Sequence, residues 1–216
     1  MKKLAIFDLD GTLVNTIEDV CCCFNEALKR CSFPVRDDGF IASLVGKPLE
    51  TIVCGLLPED ADEDTVTRVA KTYREVYGAS EKPNTKPYPG VVEMLHKLQS
   101  DGIALAVNSN KPHEAAVDVV AQMFPGLDMS VSGYGNVLST KPDPEGAELL
   151  MREAGVTLQE TVYVGDTVVD VDTAANAGID CIIVTWGQGT PELYEDSRIA
   201  KTVGTAADLV VTIKGL

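Results

Sequence analysis

The chain has 216 residues, of which 45% are hydrophobic and 24% charged, and its formal net charge is −15. That length can bury one good core and a smaller second one, and the composition is that of an ordinary globular protein. The acidic balance disfavours a nucleic-acid partner, because no basic stripe exists to meet a phosphate backbone. No stretch reaches the length of a membrane span, and the N-terminus has neither the apolar core nor the cleavage site of a signal peptide. The expected location is the cytoplasm. An anionic substrate would be repelled by such a field unless a metal ion or local lysines reverse its sign.

The first predicted element is a strand over Leu4, Ala5, Ile6 and Phe7, apolar throughout as in a parallel strand buried on both faces. Asp8 and Asp10 follow it, and Gly11 and Thr12 turn the chain. Buried carboxylates are costly without a partner, so two of them at the carboxyl end of a strand mark the edge where open α/β sheets bind ligands.

From Asn15 to about Thr85 the pattern offers no strand. Thr16 is placed to cap a helix with Glu18 and Asp19 in its first turn and Lys29 and Arg30 in its last. Val66, Val69, Ala70, Tyr73, Val76 and Tyr77 repeat at helical spacing. The six cysteines (Cys21, Cys22, Cys23, Cys31, Cys54 and Cys181) are expected as free thiols. The run "CCC" cannot present a tetrahedral metal face from one helix, since successive residues point in different directions. The rigid "KPYPG" closes the segment, and the chain re-enters the core near Tyr88, Pro89 and Gly90.

Five more strands are expected at 103–109, 129–133, 161–166, 181–187 and 208–213. Helical patterns lie between several of them: Val91, Met94, Leu95 and Leu98, then Ala147, Leu149, Leu150 and Ala154. Alternation of this kind implies right-handed crossovers and a doubly wound, Rossmann-like α/β fold with a parallel sheet. The expected organisation is a core of residues 1–14 and 86–216, with residues 15–85 inserted after the first strand as a helical cap.

Four pieces carry chemistry: "DLDGT" at 8–12, "NSN" at 108–110, "KPDP" at 141–144 and "GDTVVD" at 165–170. Each alone reads as a cap or a turn. Together they converge on one edge of one sheet. In this order and spacing they resemble the haloacid-dehalogenase superfamily of hydrolases. "LVGKPLE", "YREVY" and "TKPYPGV" are similar to its phosphoglycolate phosphatase branch.

The resemblance implies that Asp8 is a nucleophile forming an aspartyl-phosphate, a role suited to a carboxylate that is ionised at neutral pH. It implies that Asp10 protonates the leaving oxygen and later activates water, helped by burial and a nearby carboxylate. Mg²⁺ would lie between Asp8, the backbone carbonyl of Asp10 and Asp166. Asp170 would either hold metal-bound waters or serve the start of the helix at 168–177. Ser109 and the backbone amides near Leu9 and Asn110 would bind phosphoryl oxygens, and Lys141 would neutralise the charge that builds up in transfer. In the cap, Gly46 would end a helix containing Leu44 and Val45, freeing Lys47 to meet a substrate carboxylate.

The implied activity is Mg-dependent hydrolysis of a small phosphomonoester such as phosphoglycolate. A sugar-phosphate mutase on the same four motifs is the alternative, although its first-cap-helix histidine has no counterpart here. A phospho-receiver module is disfavoured by the helical insert and by the position of "DLD". Many relatives carry an aspartate where Asn15 stands, at the hinge to the cap. His96 and His113 lack metal spacing and are expected on helix surfaces, and Trp186 is expected to pack at a strand end. "GYG" and "GQG" do not make a dinucleotide fingerprint.

Overall fold

The computed structural model describes residues 1–137 and 139–216. Its first strand, β1 (Leu4–Phe7), is buried along its whole length. A two-residue strand, β2 (Val14–Asn15), leads into four helices: α1 (Ile17–Arg30), α2 (Asp38–Ala42), α3 (Leu49–Leu56) and α4 (Glu63–Ala79). β3 (Lys86–Pro87) returns antiparallel to β2, so one short ribbon carries both crossings between the helical insert and the rest. The chain continues through α5 (Val91–Ser100), β4 (Ala104–Pro112), α6 (His113–Met123), β5 (Met129–Tyr134) and α7 (Glu145–Ala154). It ends with β6 (Thr161–Gly165), α8 (Val168–Ala177), β7 (Asp180–Val184), β8 (Ile199–Val203) and α9 (Ala206–Gly215).

Six strands form one parallel sheet in the order β5-β4-β1-β6-β7-β8. β1 lies in the middle, paired with β4 (Phe7 opposite Val107) and with β6 (Phe7 opposite Val164). The connections run to one side of β1 and then to the other, so the carboxyl ends of β1, β4 and β6 flank the point where ligands bind in such sheets. Alternation along β1 splits the core. Ala5 and Phe7 pack with α5, α6 and α9, while Leu4 and Ile6 pack with α7 and α8. This is the doubly wound α/β fold that the pattern predicts.

The helices α1–α4 bury a third cluster of their own, in which Phe24 and Tyr73 stack with ring centroids 3.9 Å apart. Cys21, Cys23 and Cys31 belong to it and Cys22 is exposed, all as free thiols, which is the behaviour of small hydrophobes on an amphipathic helix. Asp19 lies in the first turn of α1 as expected, and it is buried there. Its carboxylate accepts bonds from the Asn84 amide and, at 2.7 Å, from the Thr85 hydroxyl. That fastens the start of the insert to its end. Among the described residues no helix is long and apolar enough to cross a membrane.

Three expectations of local structure are corrected. Residues 208–213 lie in α9: Ala206, Leu209 and Ile213 are buried at helical spacing, Val211 is 72% exposed, and the Thr205 side chain caps the Asp208 amide. The helical period and the cap overrode a run of β-branched residues. The sixth strand is β8, an edge strand whose residues 200–202 are exposed, so it carries no apolar signature. Leu44 and Val45 lie in a turn after α2 rather than in a helix.

Candidate active site

β1 delivers Asp8 to the carboxyl edge, where its amide donates to the Val164 carbonyl of β6 at 2.8 Å. Its Oδ1 accepts from Lys141 Nζ at 2.6 Å, and the same ammonium donates to Asp170 Oδ1 at 2.7 Å. All three side chains are buried. Asp170 is saturated, because its Oδ2 also accepts from the Asp166 and Thr167 amides and the Thr167 hydroxyl. It therefore closes a capping box at the start of α8 and aims Lys141 at Asp8. The bonds at Oδ2 serve the start of α8, one of the two roles expected for Asp170.

Asp166 ends β6. Its Oδ1 accepts from the Thr12 hydroxyl at 2.9 Å and its Oδ2 from the Gln188 amide at 2.7 Å. Gly11 has φ +95°, and a Cβ there would run into the Asp166 carboxylate, which is why glycine stands in "DLDGT". Trp186 braces the same loop, its indole nitrogen donating to the Thr12 carbonyl at 3.0 Å.

Asp8, Asp166 and Asp170 offer oxygens that all lie within 4.8 Å of one another. Three carboxylates thus face one ammonium. Burial first, then the neighbouring Asp170 and Asp166, push the Asp8 carboxyl well above its ordinary range despite Lys141. Burial and Asp170 likewise push Asp166 up to about 7. The cause is desolvation among like charges, which a cation beside Asp8 would oppose. The donor set is hard oxygen, buried and short of positive charge, which fits a divalent cation such as Mg²⁺.

Asp10 has different company. Lys111 Nζ donates to both of its oxygens at 2.9 Å, and the Thr16 hydroxyl donates to Oδ1 at 2.6 Å. The neighbour expected for Asp10 was a carboxylate; an ammonium and a hydroxyl stand there. Thr16 holds the N-cap position of α1, but its hydroxyl caps nothing and serves Asp10. Burial works against the Lys111 charge, yet Asp10 and the tyrosines Tyr77 and Tyr73 raise it above the ordinary lysine range.

β4 brings Ser109 and Asn110 to the same edge, both buried. Ser109 Oγ accepts from the Lys111 amide at 3.2 Å. The Asn110 side chain braces the site, donating to the Gly46 carbonyl at 2.9 Å and accepting from the Lys141 amide at 2.8 Å. Leu9 buries its side chain, and its amide makes no hydrogen bond among the described residues. A cavity runs from Asp8, Asp10, Ser109 and Lys111 to the wall of the insert, where Gly46, Lys47, Phe24 and Ile52 line it. Gly46 has φ +98°, and Lys47 is exposed.

Sequence reasoning missed Lys111, one residue past the "NSN" stretch, as well as Thr12, Thr16 and Gln188. A lysine directly behind a strand-end polar triplet was the available signal; the others act through single hydroxyl or amide bonds that leave no pattern. His96 is exposed as expected, whereas His113 is half-buried and its Nδ1 accepts from the Gly133 amide at 3.3 Å.

Comparison with known proteins agrees with this geometry. Residues 5–184 match the family model described as haloacid dehalogenase-like hydrolase. The chain is 34% identical over 214 residues to the probable phosphatase IndB of Dickeya dadantii, covering 97% of this chain and 93% of that protein. It is 29% identical to a phosphoglycolate phosphatase of Pseudomonas putida, covering 87% of this chain and 71% of that one. A crystal structure from Lactobacillus delbrueckii subsp. bulgaricus, provisionally described as a phosphoglycolate phosphatase, superimposes with a TM-score of 0.89, 29% identity and 99% of each chain covered. With a matching family model, a shared fold and four motifs meeting at one sheet edge, the chain belongs to the haloacid dehalogenase-like hydrolase family.

Proposed function

We propose that the protein is a phosphoric monoester hydrolase that passes the phosphoryl group of a small metabolite first to Asp8 and then to water, with phosphoglycolate as its substrate. The observation that carries this reading is the buried Asp8 at the end of β1, held 2.6 Å from Lys141 and beside Asp166. The phosphatases among its relatives support the same reaction class.

An Asp8 oxygen attacks phosphorus as the bond to the ester oxygen breaks, and Asp10 gives a proton to that leaving oxygen. In the second step Asp10 takes a proton from water, whose oxygen attacks phosphorus. The bond to Asp8 breaks, and inorganic phosphate leaves. Lys141 stays beside Asp8 throughout and offsets the charge that gathers when one anion attacks another. The Ser109 hydroxyl and the Leu9 and Asn110 amides hold the phosphoryl oxygens. Asp8, the Asp10 carbonyl and Asp166 would hold Mg²⁺, which when bound neutralises the excess negative charge of the site. The helices α1–α4 act as a cap over this edge, joined to the core 1–14 and 86–216 through the β2–β3 ribbon, and exclude water during transfer.

The test is phosphate release from a panel of small phosphomonoesters, with Mg²⁺ and after chelation. Stoichiometric phosphate from phosphoglycolate, lost on chelation, is expected. An isomerised sugar phosphate without phosphate release would move the protein to the mutases.

A further inference from the structure

The buried side-chain amide of Asn110 joins two parts of the molecule that otherwise meet only by packing. Its Oδ1 accepts from the Lys141 amide at 2.8 Å, and its Nδ2 donates to the Lys141 carbonyl at 3.2 Å. The side chain thus pairs with the Lys141 backbone as one strand pairs with another. That pairing fixes which way the amide faces, since a flip would set donor against donor and acceptor against acceptor. The other Nδ2 proton is left pointing at the insert, where it donates to the Gly46 carbonyl at 2.9 Å. Apart from the β2–β3 ribbon and Thr16 at the hinge, this is the one hydrogen bond between insert and core among the described residues.

Gly46 is suited to this contact. Its φ of +98° lies in the left-handed region, and a Cβ there would meet Thr167 at 3.7 Å, an ordinary contact. Backbone conformation therefore demands the glycine, and lack of space does not. The same turn presents Val45 and Lys47 to the cavity that holds Asp8 and Ser109. Its other side borders a groove lined by Thr167, Val168 and Gln188, and Val168 is half exposed there. Residues 43–47 are thus a thin wall between the phosphoryl end of the site and a surface groove, and Asn110 is its fastening to the core.

We propose that the Asn110 side chain is a positioning residue that couples the seating of the 43–47 turn to the placement of Lys141. This rests on the phosphatase reading above and deepens it. With the turn seated, a single amide holds both the cavity wall and the backbone that carries Lys141. The three bonds at that amide support one another, because each restricts the rotation that would weaken the others. With the turn withdrawn, Nδ2 turns to water and the Lys141 backbone is held less firmly. The ammonium is therefore aimed best at Asp8 when the site is closed to water. Enclosure of a small substrate and alignment of the charge that serves it become one event.

The experiment strains the turn from the insert side with Gly46→Ala, which leaves Asn110 and Lys141 in place. Hydrogen exchange by NMR follows the Lys141 amide, whose acceptor is Asn110 Oδ1, with the β1 amides as the reference for global opening. In Gly46→Ala the Lys141 amide should exchange about 3- to 10-fold faster while β1 is unchanged, and kcat/KM for phosphoglycolate should fall by a similar factor, the worth of one hydrogen bond. In an Asn110→Ala background, which keeps the main-chain amide, the same glycine change should cost less than about twofold, because the bond through which it acts is gone. Unchanged exchange at Lys141, or an equal rise at Lys141 and in β1, would overturn the proposal. Equal losses of kcat/KM from Gly46→Ala in both backgrounds would overturn it too, as the mark of strain confined to the turn. Should Asn110→Ala fail to fold, exchange at Lys141 in Gly46→Ala decides. A wild type that releases no phosphate would overturn the phosphatase reading instead, and the exchange measurement, made without substrate, would still decide the coupling.

Discussion

Replacing Asp170 with asparagine tests the polar network that holds the site together. The carboxylate accepts four bonds, three at Oδ2 and one at Oδ1 from Lys141. The asparagine carbonyl can take the Oδ2 place, which leaves its NH₂ group facing the Lys141 ammonium, donor against donor. Lys141 keeps Asp8, so the loss is less than that of a fully orphaned buried charge, which costs about 3–5 kcal/mol. A figure of about 3 kcal/mol is expected, or a Tm lowered by roughly 6–12 °C for a chain of this size. Thermal unfolding in the presence of a chelator reads this directly, and phosphatase activity should fall with it because Lys141 is no longer aimed. An unchanged Tm would refute the reasoning, since it would mean that Asp170 does not hold Lys141 and the start of α8 in solution.

Three further outcomes are expected. Lys47→Ala should lower kcat/KM for phosphoglycolate by less than about fivefold, because an exposed lysine contributes about 1 kcal/mol at most; a loss of several decades would make Lys47 a direct partner of the substrate carboxylate. Asp8 and Asp166 bind protons in the folded chain that the unfolded chain releases, Asp166 up to about 7. The metal-stripped protein should therefore lose stability as pH rises from about 5 to 7.5, a window above the titration of Glu160 and Asp196, which their partners hold at about 2. Added Mg²⁺ should flatten that slope, and a Tm that rises with pH in chelator would contradict it. Thr205→Ala should lower Tm by about 2–4 °C through loss of a cap worth about 1 kcal/mol on α9, whereas a strand at 208–213 would be indifferent.

The parallel core was legible because buried strands write themselves as short apolar runs: β1 and β6 are buried at every position. The same logic failed at β8, where the edge position leaves 200–202 in water, and at α9, where Val210, Val211 and Ile213 looked like a strand until their helical burial was seen. Asp8 and Asp10 could be named from sequence because carboxylates are expensive to place at the end of a buried strand without a purpose, and Asp166, Asp170 and Lys141 because their motifs resemble those of a known family. Their partnerships could not. Nothing in "DLDGTLVNT" says that Thr12 binds Asp166 and Thr16 binds Asp10, because those bonds depend on how the loop folds back over Gly11. Lys111 was hidden for a related reason: whether a lysine near the end of a strand faces water or Asp10 depends on α4, which contributes Tyr77 from a distant part of the chain.

The central claim is that Asp8 carries the phosphoryl group. Mixing the protein with phosphoglycolate and Mg²⁺, quenching in acid and sequencing the modified peptide by mass spectrometry tests it most directly. The account predicts a phosphoryl group on Asp8 that decays as inorganic phosphate appears, and a folded Asp8→Asn variant that neither traps the group nor releases phosphate. Turnover near the wild-type rate by Asp8→Asn, or a phosphoryl group on any other residue, would contradict it.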